Sequence, residues 1–464
     1  MMDTKEIFAT ALHLEKPWYI TKIEFTELQN NSNNRGRLKR EEAKLKAAAK
    51  NAPQEDGLQD EAVVAMHHIL SGIGATGELH IYIDYERGSK FPYPGADTGS
   101  EVLVGAYDEK TMTWRHLNFW QYRTYIHANV PRVGDKGQRL TPRRINVPWA
   151  RSQSGFTLLF ESFIVELAKY MPPANVAAVV GENDTRLWRI LHHYVGEARA
   201  KADYSKVTKL GVDETSKKGQ KYVTVFANLE TRKVLYVTEG KDQTTVERFA
   251  SDFSKHQGNC EDIDIITCDM SLGFKAGISK HLRNATTVID KFHVIKHANE
   301  AVDIVRKAES KENDLQKELL KKTKYIWLKN DANLTEKQRA KKEGLLQKHL
   351  KTGRACMMRE ELQSIYESSD GREEAEAALK KLCSWIMHSK LEPMKKFCKM
   401  LREHWDEILN YFDNKYTNAI LEGINSIIQN IKCRARGFRN EEYFETMIYL
   451  VCGEIDIDSL LVWH

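Results

Sequence analysis

Residues 207–214 read VTKLGVDE, an alternating apolar segment that ends in two acids. KYVTVFANLE (221–230) and KVLYVTEG (233–240) continue as strands joined by short turns. TTVERFASDFSKHQ (244–257) then takes the spacing of a helix, and IDIITCDM (263–270) returns to a strand. SLGFKAGISKHL (271–282) is a second helix, and TTVIDKFHVI (286–295) begins as a further strand. The order β-β-β-α-β-α-β places the first and fourth strands side by side in a mixed sheet.

That order predicts a ribonuclease-H-like α/β fold. Asp213 lies in the first strand and Asp269 ends the fourth, so both carboxylates emerge at one edge of the sheet. A charge in an otherwise apolar strand is costly unless it is paired or binds a cation. A third acid, Glu422, sits on a helix whose apolar face is Ile420, Leu421, Ile424, Ile427, Ile428 and Ile431. Asn418, Glu422, Asn425 and Gln429 form its polar stripe. Beyond it, Lys432, Arg434, Arg436 and Arg439 suit phosphate contacts. Asp213, Asp269 and Glu422 are therefore the expected catalytic residues and metal ligands. Three carboxylates can hold two Mg2+ ions about 3.5–4 Å apart, with Mn2+ as a substitute. The catalytic domain is expected in two parts, 204–300 and 411–464, around a lysine-rich helical insertion at 301–410.

Upstream, residues 154–200 change to helical periodicity, within a region expected at 151–203 to bind DNA. PPANVAAVVGENDTRLWRILHHYVGEARA predicts a helix-turn-helix, with Pro172 and Pro173 at the start, Gly181 in the turn, and Asn183 or Asp184 as the cap. Thr185, Arg186 and Arg189 point outward on its second helix, as a major-groove reader requires. Arg132, Lys136, Arg139, Arg143, Arg144 and Arg151 precede it, opposed only by Asp135, and suggest phosphate contacts. Residues 1–150 read as a β-rich module carrying a charged insertion at about 30–75, partly helical at REEAKLKAAAK.

Composition sets the bounds. The 464 residues suit about three domains. A net charge of +5 excludes a histone-like basic protein and an acidic tail protein, while leaving room for clustered basic surfaces. The seven cysteines all lie between Cys260 and Cys452 without a CxxC pair, which argues against disulfides and a thiolate zinc site. No apolar run reaches the length of a membrane span, and the N-terminus lacks a signal-peptide pattern. A bacterial cytoplasmic, nucleoid-associated protein is the expectation.

These motifs resemble the ISL-three family of bacterial insertion-sequence transposases. The resemblance rests on LGVDETS (210–216), KYVTVFANLE, VLYVTEG, CDMSLGFKAGI (268–278), VIDKFHVIKHANEAVD (288–303) and NAILEGINSIIQNIKCRARGF (418–438). RGSKFPYP, TWRHL, VPWAR and FTLLFE match the N-terminal part. It implies a DDE enzyme with Asp213, Asp269 and Glu422 as its triad, which binds terminal inverted repeats, cleaves DNA and joins it to target DNA as a dimer or larger assembly. Asp290 and His293, in the DKFH motif, and the stripe residues Asn418 and Asn425 are near-site candidates, whereas Glu214 reads as structural. The family's N-terminal zinc ribbon has no counterpart cysteines here: Tyr93, Ala96 and Asp97, then Gly134, Asp135 and Gly137, occupy those segments. His80, His116 and His127 lack substitute zinc spacing. A degenerate zinc-ribbon-like module without zinc is expected, held by Trp114, Phe119, Trp120 and Tyr122. The rival readings are a transposase-derived DNA-binding protein without catalysis and a nuclease that cuts without joining.

Overall fold

Alternation of apolar residues builds the first sheet. In a computed structural model that describes residues 3–27, 77–94, 102–134, 140–216, 222–438 and 440–462, the chain forms two units. They are Met1–Ala198 with Asp456–His464, and Arg199–Ile455. The insertion expected at about 30–75 lies outside the described residues, as do Asp135, Lys136, Arg139 and Arg439.

The first unit begins with α1 (Thr4–Ala11). Its strands are β1 (Trp18–Glu27), β2 (Gly77–Tyr85), β3 (Lys90–Pro92), β4 (Leu103–Arg115), β5 (Tyr122–Val133) and β6 (Arg143–Arg144). They assemble in the order β1-β2-β5-β4-β3, with β6 paired to β5. Leu79, Ile81, Ile83 and Tyr85 alternate inward from β2, and Ile126, Ala128 and Val130 from β5. The aromatic core gathers Trp18, Trp114 and Trp149, with edge-on ring contacts of 5.0 Å for Trp18–Trp149 and 5.8 Å for Trp114–Trp149. Trp120, expected to help hold this module, is instead 78% exposed. Its φ of 49° places it in the tight turn after β4, so its ring leaves the core. His80 and His127 bond to each other at 2.9 Å on the opposite sheet face.

Helices α2 (Leu158–Tyr170), α3 (Pro173–Val180) and α4 (Asp184–Ala200) follow. Thr157 caps α2, Gly181 ends α3 in the left-handed region at φ 71°, and the Asn183 side chain accepts the Thr185 N–H at 3.0 Å. Leu187, Trp188, Ile190, Leu191 and Tyr194 bury one face of α4. The terminal stretch belongs to this unit: Lys169 meets Asp458 at 2.7 Å, and the Val462 N–H donates to Ser162 Oγ at 2.8 Å.

The second unit holds β7 (Lys209–Ser216), β8 (Tyr222–Asn228), β9 (Lys233–Glu239), β10 (Ile265–Cys268) and β11 (Thr286–Ile289), ordered β11-β10-β7-β8-β9. β10 runs parallel to both neighbours, β7 and β11, and β8 is antiparallel to β7 and β9. Helices α5 (Gln243–Lys255) and α6 (Leu272–His281) link the strands. After β11 come α7 (Lys291–Glu309), α8 (Asp314–Leu320), α9 (Lys324–Leu328), α10 (Glu336–Leu346), α11 (Lys351–Ser368), α12 (Arg372–Met387), α13 (Glu392–Glu403) and α14 (Trp405–Asn414). This helical body shares one core with β10 and β11, including Val288, Val302, Trp327, Met358, Leu382 and Phe412. Asn410 in α14 donates to the Thr287 carbonyl at 2.8 Å, fixing that helix beside β11. The chain returns through α15 (Ala419–Arg434) and α16 (Glu441–Cys452).

Candidate active site

Strand register brings the acids together. β10 pairs Thr267 with Gly211 of β7 and Cys268 with Ile289 of β11. Carried on to the strand ends, that register aligns Asp213, Asp269 and Asp290 across three neighbouring parallel strands. Ligands of open α/β sheets collect at such carboxyl ends. The sequence order had pointed to Asp213 and Asp269; the place of Asp290 in the row depends on the β10–β11 register.

Each aspartate is held. Asp213 Oδ2 accepts Asn425 Nδ2 at 2.8 Å, and Oδ1 accepts the Glu214 N–H at 2.8 Å. Asp269 Oδ1 accepts the Ser271 N–H at 2.9 Å. Asp290 is buried and caps the gap between two elements: Oδ1 accepts the Asn418 N–H at 3.3 Å, and Oδ2 lies 3.5 Å from His293 Nδ1. Burial pushes the Asp213 carboxyl above the usual carboxylate range; the Glu214 N–H and His293 oppose this, and the charges of Asp269 and Asp290 reinforce it. His293 is held above the ordinary histidine range, chiefly by Asp290 and against burial.

The polar stripe of α15 lies along β7. Asn418 Nδ2 donates to the Val212 carbonyl at 3.4 Å, Asn425 holds Asp213, and Gln429 Nε2 donates to Thr215 Oγ1 at 2.7 Å. Gly211 permits this approach: a Cβ there would stand 2.7 Å from Leu421 Cδ1 and 2.8 Å from Leu229 Cδ2. Leu421, Ile424, Ile428 and Ile431 are buried, whereas Ile427, expected on the core face, is 40% exposed. Glu422 stands on the stripe between Asn418 and Asn425 but is exposed. Among the described residues no group of three His, Cys, Asp or Glu side chains is gathered closely enough to hold a metal ion. The structure thus brings the aspartates together without closing Glu422 onto them.

Glu214 is the acid that sequence reading set aside. It is half-buried, and its carboxyl is pushed up to about 7 by burial, then by the charge of Asp269. Its adjacency to Asp213 was the available signal, discounted because alternate strand residues face opposite ways.

The expected nucleic-acid contacts separate into two kinds. Thr185 and Arg189 are exposed on α4, and Arg144 is exposed on β6. Arg186 is half-buried, bonded to Glu182 at 2.6 Å and stacked over Phe156 at 4.1 Å. Arg132 pairs with Asp108, its Nε reaching Oδ1 at 2.7 Å. Arg143 donates to the Pro94 carbonyl at 3.0 Å. Arg151 bonds both oxygens of the fully buried Glu161, at 2.8 and 3.1 Å, with Ser154 and Tyr194 completing that carboxylate's shell. Arg151 therefore neutralises an interior charge, contrary to its expected place on a phosphate surface. Lys432 and Arg434 occupy the last turn of α15, and Arg436 is exposed just beyond it.

Comparison with known proteins gives matches over the helical segment of the first unit and over most of the second. Residues 210–448 match a family model described as a transposase, and residues 145–195 match the helix-turn-helix domain of transposase family ISL3. The transposase for insertion sequence element IS1001 of Bordetella parapertussis is 26% identical over 345 residues, covering 71% of this chain and 82% of that protein. The transposase for insertion sequence element IS1557 of Mycobacterium tuberculosis is 22% identical over 359 residues, covering 71% of this chain and 79% of its own length. The sheet with its row of acids falls within the first match, and α2 to α4 fall largely within the second. The chain belongs to the ISL3 family of transposases.

Proposed function

We propose that the chain is the DDE transposase of a bacterial insertion sequence: it binds the element's terminal inverted repeats, cleaves a strand at each end and joins the freed 3′ hydroxyl to target DNA. The observation that carries this reading is the alignment of Asp213 and Asp269 on parallel strands of a ribonuclease-H-like sheet, with the Glu422 stripe packed along the first of them. Asp213 and Asp269, with Glu422 from α15, are the residues that would hold divalent metal. Their oxygen-only donor set suits Mg2+ or Mn2+, and a bound cation would offset the burial that chiefly raises the Asp213 carboxyl. When bound, such metal supplies charge neutralisation at the scissile phosphate and favours the deprotonated oxygen nucleophile.

The chain's own groups do the positioning. Asn425 fixes one oxygen of Asp213, leaving the carboxylate in a single orientation. Asp290 ties the start of α15 to the end of β11, and His293 lies beside it at the acidic edge, its pKa raised chiefly by Asp290. Lys432, Arg434, Arg436 and Arg439 would follow the DNA backbone, while Thr185 and Arg189 of α4 would meet a major groove. In cleavage, a water oxygen bonds to phosphorus as the 3′ oxygen leaves with a proton. In joining, that 3′ oxygen bonds to a target phosphorus and displaces the target's own 3′ oxygen. Two ends need two such centres, so a dimer or larger assembly on DNA is implied.

The test uses labelled duplexes carrying the terminal repeats that flank the gene, incubated with Mg2+ and plasmid target. Nicked ends and joined products are expected together. Binding without nicking would mark a non-catalytic DNA-binding protein, and nicking without joining a nuclease.

A further inference from the structure

Phe292 is a large apolar side chain left open to solvent beside the acidic row. It is 54% exposed, two residues beyond Asp290 and beside His293, whose ring meets it edge-on at 5.7 Å. Its ring opens onto a groove of about 460 Å³ between α7 and α9, lined also by Ile295, Lys296, Asn299, Lys324 and Leu328. Lys296, one helical turn after Phe292, and Lys324 across the groove are both exposed. Neither forms an ion pair among the described residues. Two acids line the same groove: Asp303 pairs with Arg306 at 2.7 Å and Lys307 at 2.9 Å, and Glu300, at the exposed rim, lies 3.1 Å from the His297 ring. An exposed aromatic face flanked by unneutralised lysines matches a nucleotide, with a flat apolar base and a charged phosphate.

We propose that Phe292 is a base-stacking residue of the active site: a nucleobase adjoining the scissile phosphate leaves the duplex and rests on the Phe292 ring, its backbone running toward Lys296 and Lys324. The proposal rests on the reading of the acidic row as the cleavage centre. Stacking returns part of the cost of unpairing that base, and the cost is least where the base is already mismatched. It would also hold the strand end still between cleavage and joining.

The test compares wild type, F292A and F292W on terminal-repeat duplexes, either fully paired or mismatched next to the scissile phosphate. Permanganate reactivity of a thymine at that position is read in parallel, without metal. Expected are a loss of roughly tenfold or more in single-turnover cleavage for F292A on paired ends, retained cleavage for F292W, and partial recovery of F292A on mismatched ends. Thymine reactivity should rise on binding wild type and stay at the duplex level with F292A. Equal cleavage and equal reactivity for wild type and F292A would overturn the stacking role, as would equal losses for F292A and F292W on both substrates. A changed oligomeric state of free F292A with unaltered thymine reactivity would overturn it too, marking a protein contact. If wild type cuts nothing, the cleavage reading fails first and carries this one with it.

Discussion

Asn425 is the side chain whose removal most directly probes how Asp213 is held, because it donates to one carboxylate oxygen at 2.8 Å from a different element. Asn425→Ala should slow strand cleavage about 10–100-fold while leaving end binding unchanged, as single-turnover assays and gel shifts would show. Asp213 and Asp269 were legible in the sequence because each ends an apolar segment, where an unpartnered charge is hard to explain. Asp290 could be assigned only to the vicinity, since its alignment needs a pairing between segments that sequence does not register. Glu161 was not legible as an interior charge: Arg151 and Ser154 reach it from the segment before α2, and Tyr194 from α4, 33 residues on. His116 gives a separate handle on the first unit. Burial, and then the neighbouring Arg115, lower its pKa from 6.5 to about 4. The unfolded chain therefore takes up a proton below pH 6.5 that the folded chain refuses. Stability should fall by roughly 2–3 kcal/mol between pH 6.5 and 4.5 through this residue alone. Denaturant unfolding of His116→Gln should lose that much less over the same window.

At the scale of elements, periodicity carried far but not everywhere. The polar stripe of α15 was legible from spacing, and it does lie along β7, yet only the structure shows why it can: Gly211 leaves room for Leu421. The turn between α3 and α4 was equally plain, since Gly181 takes the left-handed backbone that glycine favours. Two features were hidden. β2 pairs in parallel with β5, a crossover that short strands and turns do not announce. Trp120 looked like core by residue type, but a turn carries it outward. For the helix-turn-helix, the exposed Arg189 is the sharpest probe. If it contacts phosphate, Arg189→Ala should weaken binding to all sequences alike and reduce the slope of log affinity against log salt by about one. Loss of discrimination between repeat and random DNA, with the slope unchanged, would show a base contact instead.

The whole molecule depends on contacts between distant segments. α7 begins beside Asp290 and ends in the helical body, where the buried Glu309 accepts the N–H groups of Lys351 and Thr352 at 2.7 and 2.8 Å. One helix thus connects the acidic edge to the insertion's core, so the insertion is part of the second unit's structure rather than an appendage. Residues 456–464 return to the first unit, although chain order suggested that they end the second. Among the described residues no helix is long and apolar enough to cross a membrane. Asp213, Asp269 and Glu422 are proposed to act as one metal-binding centre, with Glu422 reaching it from an exposed position on its helix. The most direct test of that centre is single-turnover cleavage of terminal-repeat duplexes over a Mg2+ titration, comparing wild type with Asp213→Asn, Asp269→Asn and Glu422→Gln, with end binding measured in parallel. All three variants should bind the ends as wild type does and cleave more than about a hundredfold more slowly at every Mg2+ concentration. Full cleavage by Glu422→Gln would remove the third acid from the centre, and full cleavage by either aspartate variant would contradict the centre itself.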